Sequence, residues 1–176
     1  MRHASQNEVG IYLVAANRLQ REALARVLCA ESGFNVVGAC APGPHVQNAV
    51  FTSRAHLVLL DDFDAARSDL QLLKMLVKAF PSLRVILVGM PETEWAFLES
   101  VRAGASGYVL HDASAEDLNS SVRAVLNGES ACPARMIVSL YKHVPGSGCG
   151  RSRLAPESRS AAYAANPAPR ALHFFA

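Results

Sequence analysis

Residues 56–61 read His-Leu-Val-Leu-Leu-Asp, with a second aspartate at 62. Four consecutive apolar side chains, Leu57 to Leu60, run into a carboxylate. A short apolar run between polar residues is the pattern of a strand covered on both faces, as found inside parallel sheets. The carboxyl end of such a strand is where open α/β sheets gather their chemistry. Asp61 is therefore the first residue to test for a chemical role. Asp62 and Asp64 could add oxygen donors for a metal ion, although loop carboxylates are more often only solvated.

The elements needed to position Asp61 can be read on either side of it. Gly10 to Ala15 forms a first strand, and Asn17 is a good N-cap. Leu19, Ala23, Leu24, Val27 and Leu28 then recur at helical spacing until Gly33. Phe34 to Cys40 is a second strand, Pro42-Gly43-Pro44 a turn, and His45 to Ser53 a short helix. After the central strand, Asp69 to Phe80 carries Leu70, Leu73, Leu76 and Val77 on one face. Leu83 to Gly89 is a fourth strand, followed by a helix from Pro91 to Gly104 with Trp95, Leu98 and Val101 on one face. In this reading Trp95 is a packing residue. Ser106 to Leu110 is a fifth strand. Ser114 and Asp117 have the spacing of a capping box, opening a helix that buries Leu118, Val122 and Val125 and stops at Gly128.

Five strands alternating with five helices predict an α/β protein with a parallel sheet covered on both faces. Right-handed crossovers leave few arrangements. The strand order 2-1-3-4-5 would bring the ends of strands one and three side by side, lining a crevice with Ala15, Ala16 and Asp61.

Composition narrows the class. The chain has 176 residues, 51% hydrophobic and 18% charged, enough for one domain and an extension. No apolar run approaches the roughly 20 residues of a transmembrane helix. The polar stretch Met1 to Glu8 shows no secretory signal. Cys29, Cys40, Cys132 and Cys149 are too scattered for a metal cluster and read as thiols of a reducing cytoplasm. Residues 1–141 hold 12 Lys+Arg and 14 Asp+Glu, a net of −2. Residues 142–176 hold five basic residues and one acid, a net of +4. The body thus lacks a nucleic-acid footprint. After Pro145-Gly146-Ser147-Gly148 the chain is rich in Ala, Arg, Ser and Pro without sustained apolar periodicity, and a tail of low order is expected.

Three stretches carry a resemblance. Gln20-Arg21-Glu22-Ala23-Leu24, Asn35-Val36-Val37-Gly38, and Ala103-Gly104-Ala105-Ser106-Gly107-Tyr108-Val109-Leu110 with Asp112-Ala113-Ser114 resemble a response-regulator receiver domain of the NarL/FixJ type. The match covers about residues 9–130. It implies a flavodoxin-like (βα)5 fold, two-component (phosphorelay) signalling, and a phosphoryl group passed from a histidine kinase to an aspartate on strand three. Asp61 stands at that position. The resemblance also implies an acidic pair after strand one and Mg²⁺, a hydroxyl residue after strand four, a rotating aromatic on strand five and a lysine after it. Mg²⁺ asks for carboxylate oxygens, and the meeting of two anions needs cationic charge to offset it.

Here the acidic pair is replaced by Ala15-Ala16, the hydroxyl residue by Gly89 and the lysine by His111. Tyr108 matches the aromatic, with a half-buried sheet residue as the plainer reading. Asn17 could offer an amide oxygen but reads first as a cap. The loop after the phosphoacceptor position reads Phe63-Asp64-Ala65-Ala66 rather than Met-Pro. Arg153 to Arg159 faintly resembles the start of a helix-turn-helix domain, but no recognition-helix pattern follows.

The expectation is a receiver-like domain over 9–130, a short helical extension over 131–144 and a basic tail over 145–176. Its first reading is a degenerate receiver that is cytoplasmic, is not an enzyme, and acts on a protein partner or as a homodimer without Mg²⁺ or another cofactor. The alternative is a phosphoacceptor at Asp61, served by a histidine kinase and regulating transcription. DNA binding through the tail is a third possibility; a membrane is not an expected partner. No nucleophile–base pair and no Gly-rich phosphate loop argues for an independent enzyme.

Overall fold

The computed structural model describes residues 8–61, 67–134 and 136–137, all within the first of the chain's two units, Met1–His143. The strands are β1 (Val9–Val14), β2 (Phe34–Cys40), β3 (Leu57–Leu60), β4 (Arg84–Met90) and β5 (Gly107–Leu110). They alternate with α1 (Arg18–Cys29), α2 (Val46–Ser53), α3 (Arg67–Ala79), α4 (Glu94–Arg102) and α5 (Ala115–Leu126). All strand pairs are parallel, in the order β2-β1-β3-β4-β5.

β3 is central because its neighbours take it without slippage. Ile11 to Val14 pair with Leu57 to Leu60, which in turn pair with Arg84 to Leu87. Successive side chains point to opposite faces, so the four apolar residues feed two cores. Val58 and Leu60 join Val46, Val50, Leu73, Leu76 and Phe97 under α2, α3 and α4. Leu57 and Leu59 join Leu28, Val122 and Val125 under α1 and α5. Each of the four is at most 1% exposed, and each such burial is worth about 2 kcal/mol. At the start of the strand, His56 Nδ1 accepts the Gly10 N–H at 3.0 Å, tying β3 to β1 through a side chain. Close packing over β2 requires glycine at 38, where a Cβ would meet the Tyr12 ring at 2.4 Å.

The helix ends follow their capping residues. Asn17 Oδ1 accepts the Leu19 N–H at 2.8 Å, satisfying one of the first-turn donors. Ser114 and Asp117 form the reciprocal capping box of α5.

The packing face of α4 differs from the sequence expectation. Pro91 to Thr93 form a turn, with the Thr93 N–H donated to Pro91 O, and the helix starts at Glu94. Its buried residues are Ala96, Phe97 and Ser100, whereas Trp95 is 62% exposed and Val101 is exposed. A polar residue can occupy this core stripe because the Ser100 hydroxyl donates back to Ala96 O, at 2.7 Å, within its own helix. With Ala96, Phe97 and Ser100 turned to the core, Trp95 faces outward. Leu19, also expected on a packed face, is 74% exposed; Leu28 is the fully buried residue of α1.

After α5 the chain returns to the sheet. Ala131 bridges Gly107 in parallel, its carbonyl accepts the Tyr108 N–H at 2.8 Å, and Met136 enters the α2–α4 core. Ala134, Met136 and Ile137 are helical. The predicted extension beyond 137 and the basic tail lie outside the described residues, as does Cys149. Cys29, Cys40 and Cys132 are free thiols. Among the described residues no helix is long and apolar enough to cross a membrane.

Candidate functional site at the carboxyl edge of the sheet

Pairing of Val14 with Leu60 puts the residues that follow them side by side. Asp61 is 9% exposed, and its N–H is donated to Val14 O at 2.8 Å. Ala15, the next residue of that strand end, is buried and donates its N–H to Cys40 O at 3.1 Å. The ends of strands one and three therefore lie side by side, as the strand order anticipated, with the buried Ala15 next to Asp61.

Arg21, to which the sequence pattern alone gives no role, reaches this edge. One turn after the Asn17 cap, its guanidinium folds back over the start of α1. Nη1 donates to Ala15 O and, at 3.0 Å, to Ala16 O. The carbonyl groups left exposed by the strand end are thus satisfied by a cation. The available signal was its position, four residues after the cap on the helix that leaves β1. Asn17 itself is engaged with Leu19, in the capping role.

Gly89 and His111 follow on the same edge. Gly89 has φ of +67°, a left-handed conformation that disfavours any residue with a Cβ. The β4–β5 register slips between Leu87 and Met90, so Gly89 sits in a bulge. His111 is exposed in the turn after β5. Asp62 and the Phe63-Asp64-Ala65-Ala66 stretch lie outside the described residues.

Tyr108 is buried rather than half-buried, at 5% exposure. Its ring meets Phe97 edge-on, with centroids 4.9 Å apart, and its hydroxyl donates to Ala105 O at 3.5 Å. Burial, and then the neighbouring Cys132, hold its phenol well above the ordinary tyrosine range. Cys132 is itself pushed up to about 11 by burial. Both side chains stay neutral in the physiological range.

Mg²⁺, which a receiver architecture implies, does not fit the donors described here. Asp61 is the single carboxylate of the crevice among the expected ligand positions, and the Ala15 and Ala16 carbonyls are held by Arg21. Among the described residues no group of three or more His, Cys, Asp or Glu side chains could hold a metal ion.

The topology, with its crevice at the ends of β1 and β3, defines a receiver-type (βα)5 domain. Comparisons find it similar to bacterial transcriptional regulators in sequence and to response-regulator receiver domains in fold. The DNA-binding transcriptional activator DevR/DosR of Mycobacterium tuberculosis is 27% identical over 138 residues, 78% of this chain and 64% of the relative. The uncharacterized transcriptional regulatory protein YxjL of Bacillus subtilis is 25% identical over 126 residues, 72% of this chain and 58% of the relative. The chain therefore spans little more than half the length of such relatives. No protein-family model matches it. Among solved structures, the isolated receiver domain of RcsB from Salmonella enterica superposes with a TM-score of 0.65 at 19% identity, covering 76% of this chain and 99% of that one. The receiver domain of the putative response regulator NarL from Mycobacterium tuberculosis gives 0.63 at 21%, covering 70% and 99%. These likenesses bear out the receiver fold and its strand order.

Proposed function

We propose that this chain is a receiver-like signalling module of the two-component type that works through contact with a protein partner or a second copy, independently of Mg²⁺-dependent phosphoryl transfer. Residues 9–130 are its signalling domain and residues 145–176 a basic appendage. Replacement of the acidic pair by Ala15 and Ala16 beside a buried Asp61 carries this reading. An incoming phosphoryl group and the Asp61 carboxylate are both anionic, and their approach needs a cation at the reacting oxygens. Neither the metal ligands nor the lysine of the receiver pattern is in place. His111 substitutes an imidazole for a permanent charge.

A second reading has its own support. Asp61 keeps the position of a phosphoacceptor at the end of β3, and the relatives are named as transcriptional regulators. Under it, a histidine kinase would modify Asp61 and the output would be transcription. Intact-mass spectrometry after treatment with a small-molecule phosphodonor and Mg²⁺ separates the two. An unchanged mass supports the interaction module. An added phosphoryl mass that Asp61→Asn abolishes would replace it with the phosphoacceptor.

A further inference from the structure

We infer that the amino-terminal end of the sheet, where α2 and α3 finish, is a docking surface for an acidic, aromatic-bearing segment of a partner protein. It lies about 13 Å from Asp61, the length of the four-residue β3. It deepens the interaction-module reading, on which it rests, by giving the partner a chemistry.

Two aromatic residues mark the surface. Phe51, in the last turn of α2, is 70% exposed. Its ring stacks on that of Phe80, just beyond α3, with centroids 6.3 Å apart and planes at 22°. Phe80 is half-buried against the core, so the pair presents the exposed Phe51 ring on an apolar base, and contiguous apolar surface marks interaction sites more than isolated apolar side chains do.

Cations frame the pair. Arg54 caps α2 three residues after Phe51, and Lys74 and Lys78 lie exposed on α3. None of the three forms an ion pair among the described residues. Residues 46–60 and 70–84 contain no Asp or Glu at all. These two segments thus carry cations and no carboxylates within a body of net −2.

Arg54 gives a second, independent indication. It has φ of 53° and ψ of 38°, the one non-glycine residue with positive φ among those described. A left-handed residue closing a helix is ordinarily glycine, because a Cβ is strained there. Strained residues concentrate where a side chain has work to do. The strain is met here by an exposed arginine whose N–H is donated to the Phe51 carbonyl, and its guanidinium is suited to planar carboxylates and to stacking.

Charge pattern decides the class of partner. A nucleic acid would need cations tracking along its phosphates, whereas these flank one apolar pair and the rest of the body is acidic. A short segment with carboxylates around an aromatic anchor complements both features.

The test uses the full chain and a fluorescein-labelled peptide alternating Asp/Glu with Phe and Trp, read by anisotropy. Controls are the same peptide with Lys for the acids, the same peptide with Ala for the aromatics, and a single-stranded oligonucleotide. Binding of the acidic-aromatic peptide alone is expected, weakened at least fivefold by Phe51→Ser and by Arg54→Gly. Arg54→Gly relieves the backbone strain, so its loss of binding at an unreduced melting temperature cannot come from unfolding. The inference is overturned if that peptide does not bind, if either variant leaves binding unchanged, if the oligonucleotide binds through these residues instead, or if sedimentation shows a second copy of the chain on this face. The phosphodonor experiment responds to Asp61 alone, so a failure of docking and a failure of the interaction-module reading give different results.

Discussion

Leu57–Leu60 and Asp61 are neighbours in the chain, yet the two regions they belong to keep very different shares of the receiver pattern. The strand interior is intact: it pairs in register with β1 and β4 and is sealed on both faces. At the carboxyl edge, one peptide further on, Ala15-Ala16, the bulged Gly89 and His111 stand at the positions for which the resemblance implies an acidic pair, a hydroxyl residue and a lysine. Burial is spread over many contacts and constrains every core residue a little. Chemistry depends on a few donor groups, and their loss leaves the fold standing. Alanine at 15 suits a buried strand end at least as well as a carboxylate that would have to be desolvated.

The sharpest test of that contrast is a cavity in the interior. Leu59→Ala should cost about 3 kcal/mol, measured by chemical denaturation, because Leu59 is buried between β1, β4 and the α1–α5 core. A loss below about 1 kcal/mol, the low end for a core truncation, would show that the interior is as permissive as the edge.

Raising the pH tests the interior by ionisation. Tyr108 is held above its ordinary range by burial, and Tyr12 is pushed up to about 12, by burial first and then by Cys40. Their folded-state values exceed the unfolded value of about 10. The stability they contribute is therefore complete below about pH 10 and is lost as pH rises toward about 12 and beyond. Alkaline unfolding should begin above about pH 10, and Tyr108→Phe should move its midpoint upward, as followed by circular dichroism.

A smaller effect of opposite sign is expected at the other end of the sheet. Arg54→Gly should stabilise the fold by about 1 kcal/mol through relief of the left-handed strain. A rise of a few degrees in melting temperature is the readout; a fall would mean that the Arg54 side chain supports the fold.

At the carboxyl edge the expected effect is zero. Mg²⁺ at a few millimolar should leave the melting temperature unchanged, since stabilisation requires ligand above its dissociation constant. Ala15→Asp with Ala16→Asp should restore a response, because carboxylates then converge on Asp61. Gly89→Thr should not be included at first. Its φ of +67° makes the substitution strained whatever it restores.

Much of this protein could be read without its structure. Asn17 and the Ser114–Asp117 box act as the caps their spacing predicted, because capping depends on residues within one turn of one another. The apolar run 57–60 was legible as a doubly covered strand because four consecutive apolar residues leave no polar face. The alternation of elements predicted a parallel sheet, and the observed order was among the few arrangements that right-handed crossovers leave.

What the sequence did not yield were the details of how particular elements meet. Trp95 and Ser100 lie on the same short helix, and periodicity favoured the tryptophan for the core. The structure buries the serine, since a hydroxyl bonded to its own helix has no further demand on water. The Gly89 bulge depends on the β4–β5 register, the Arg21 contacts on how α1 leaves β1, and the Phe51–Phe80 pair on α2 and α3 ending side by side. Local pattern determined the elements and their caps, because those depend on neighbours along the chain. The orientation of α4, the cation at the strand ends and the aromatic surface at the far end were decided by packing, because they depend on neighbours in space.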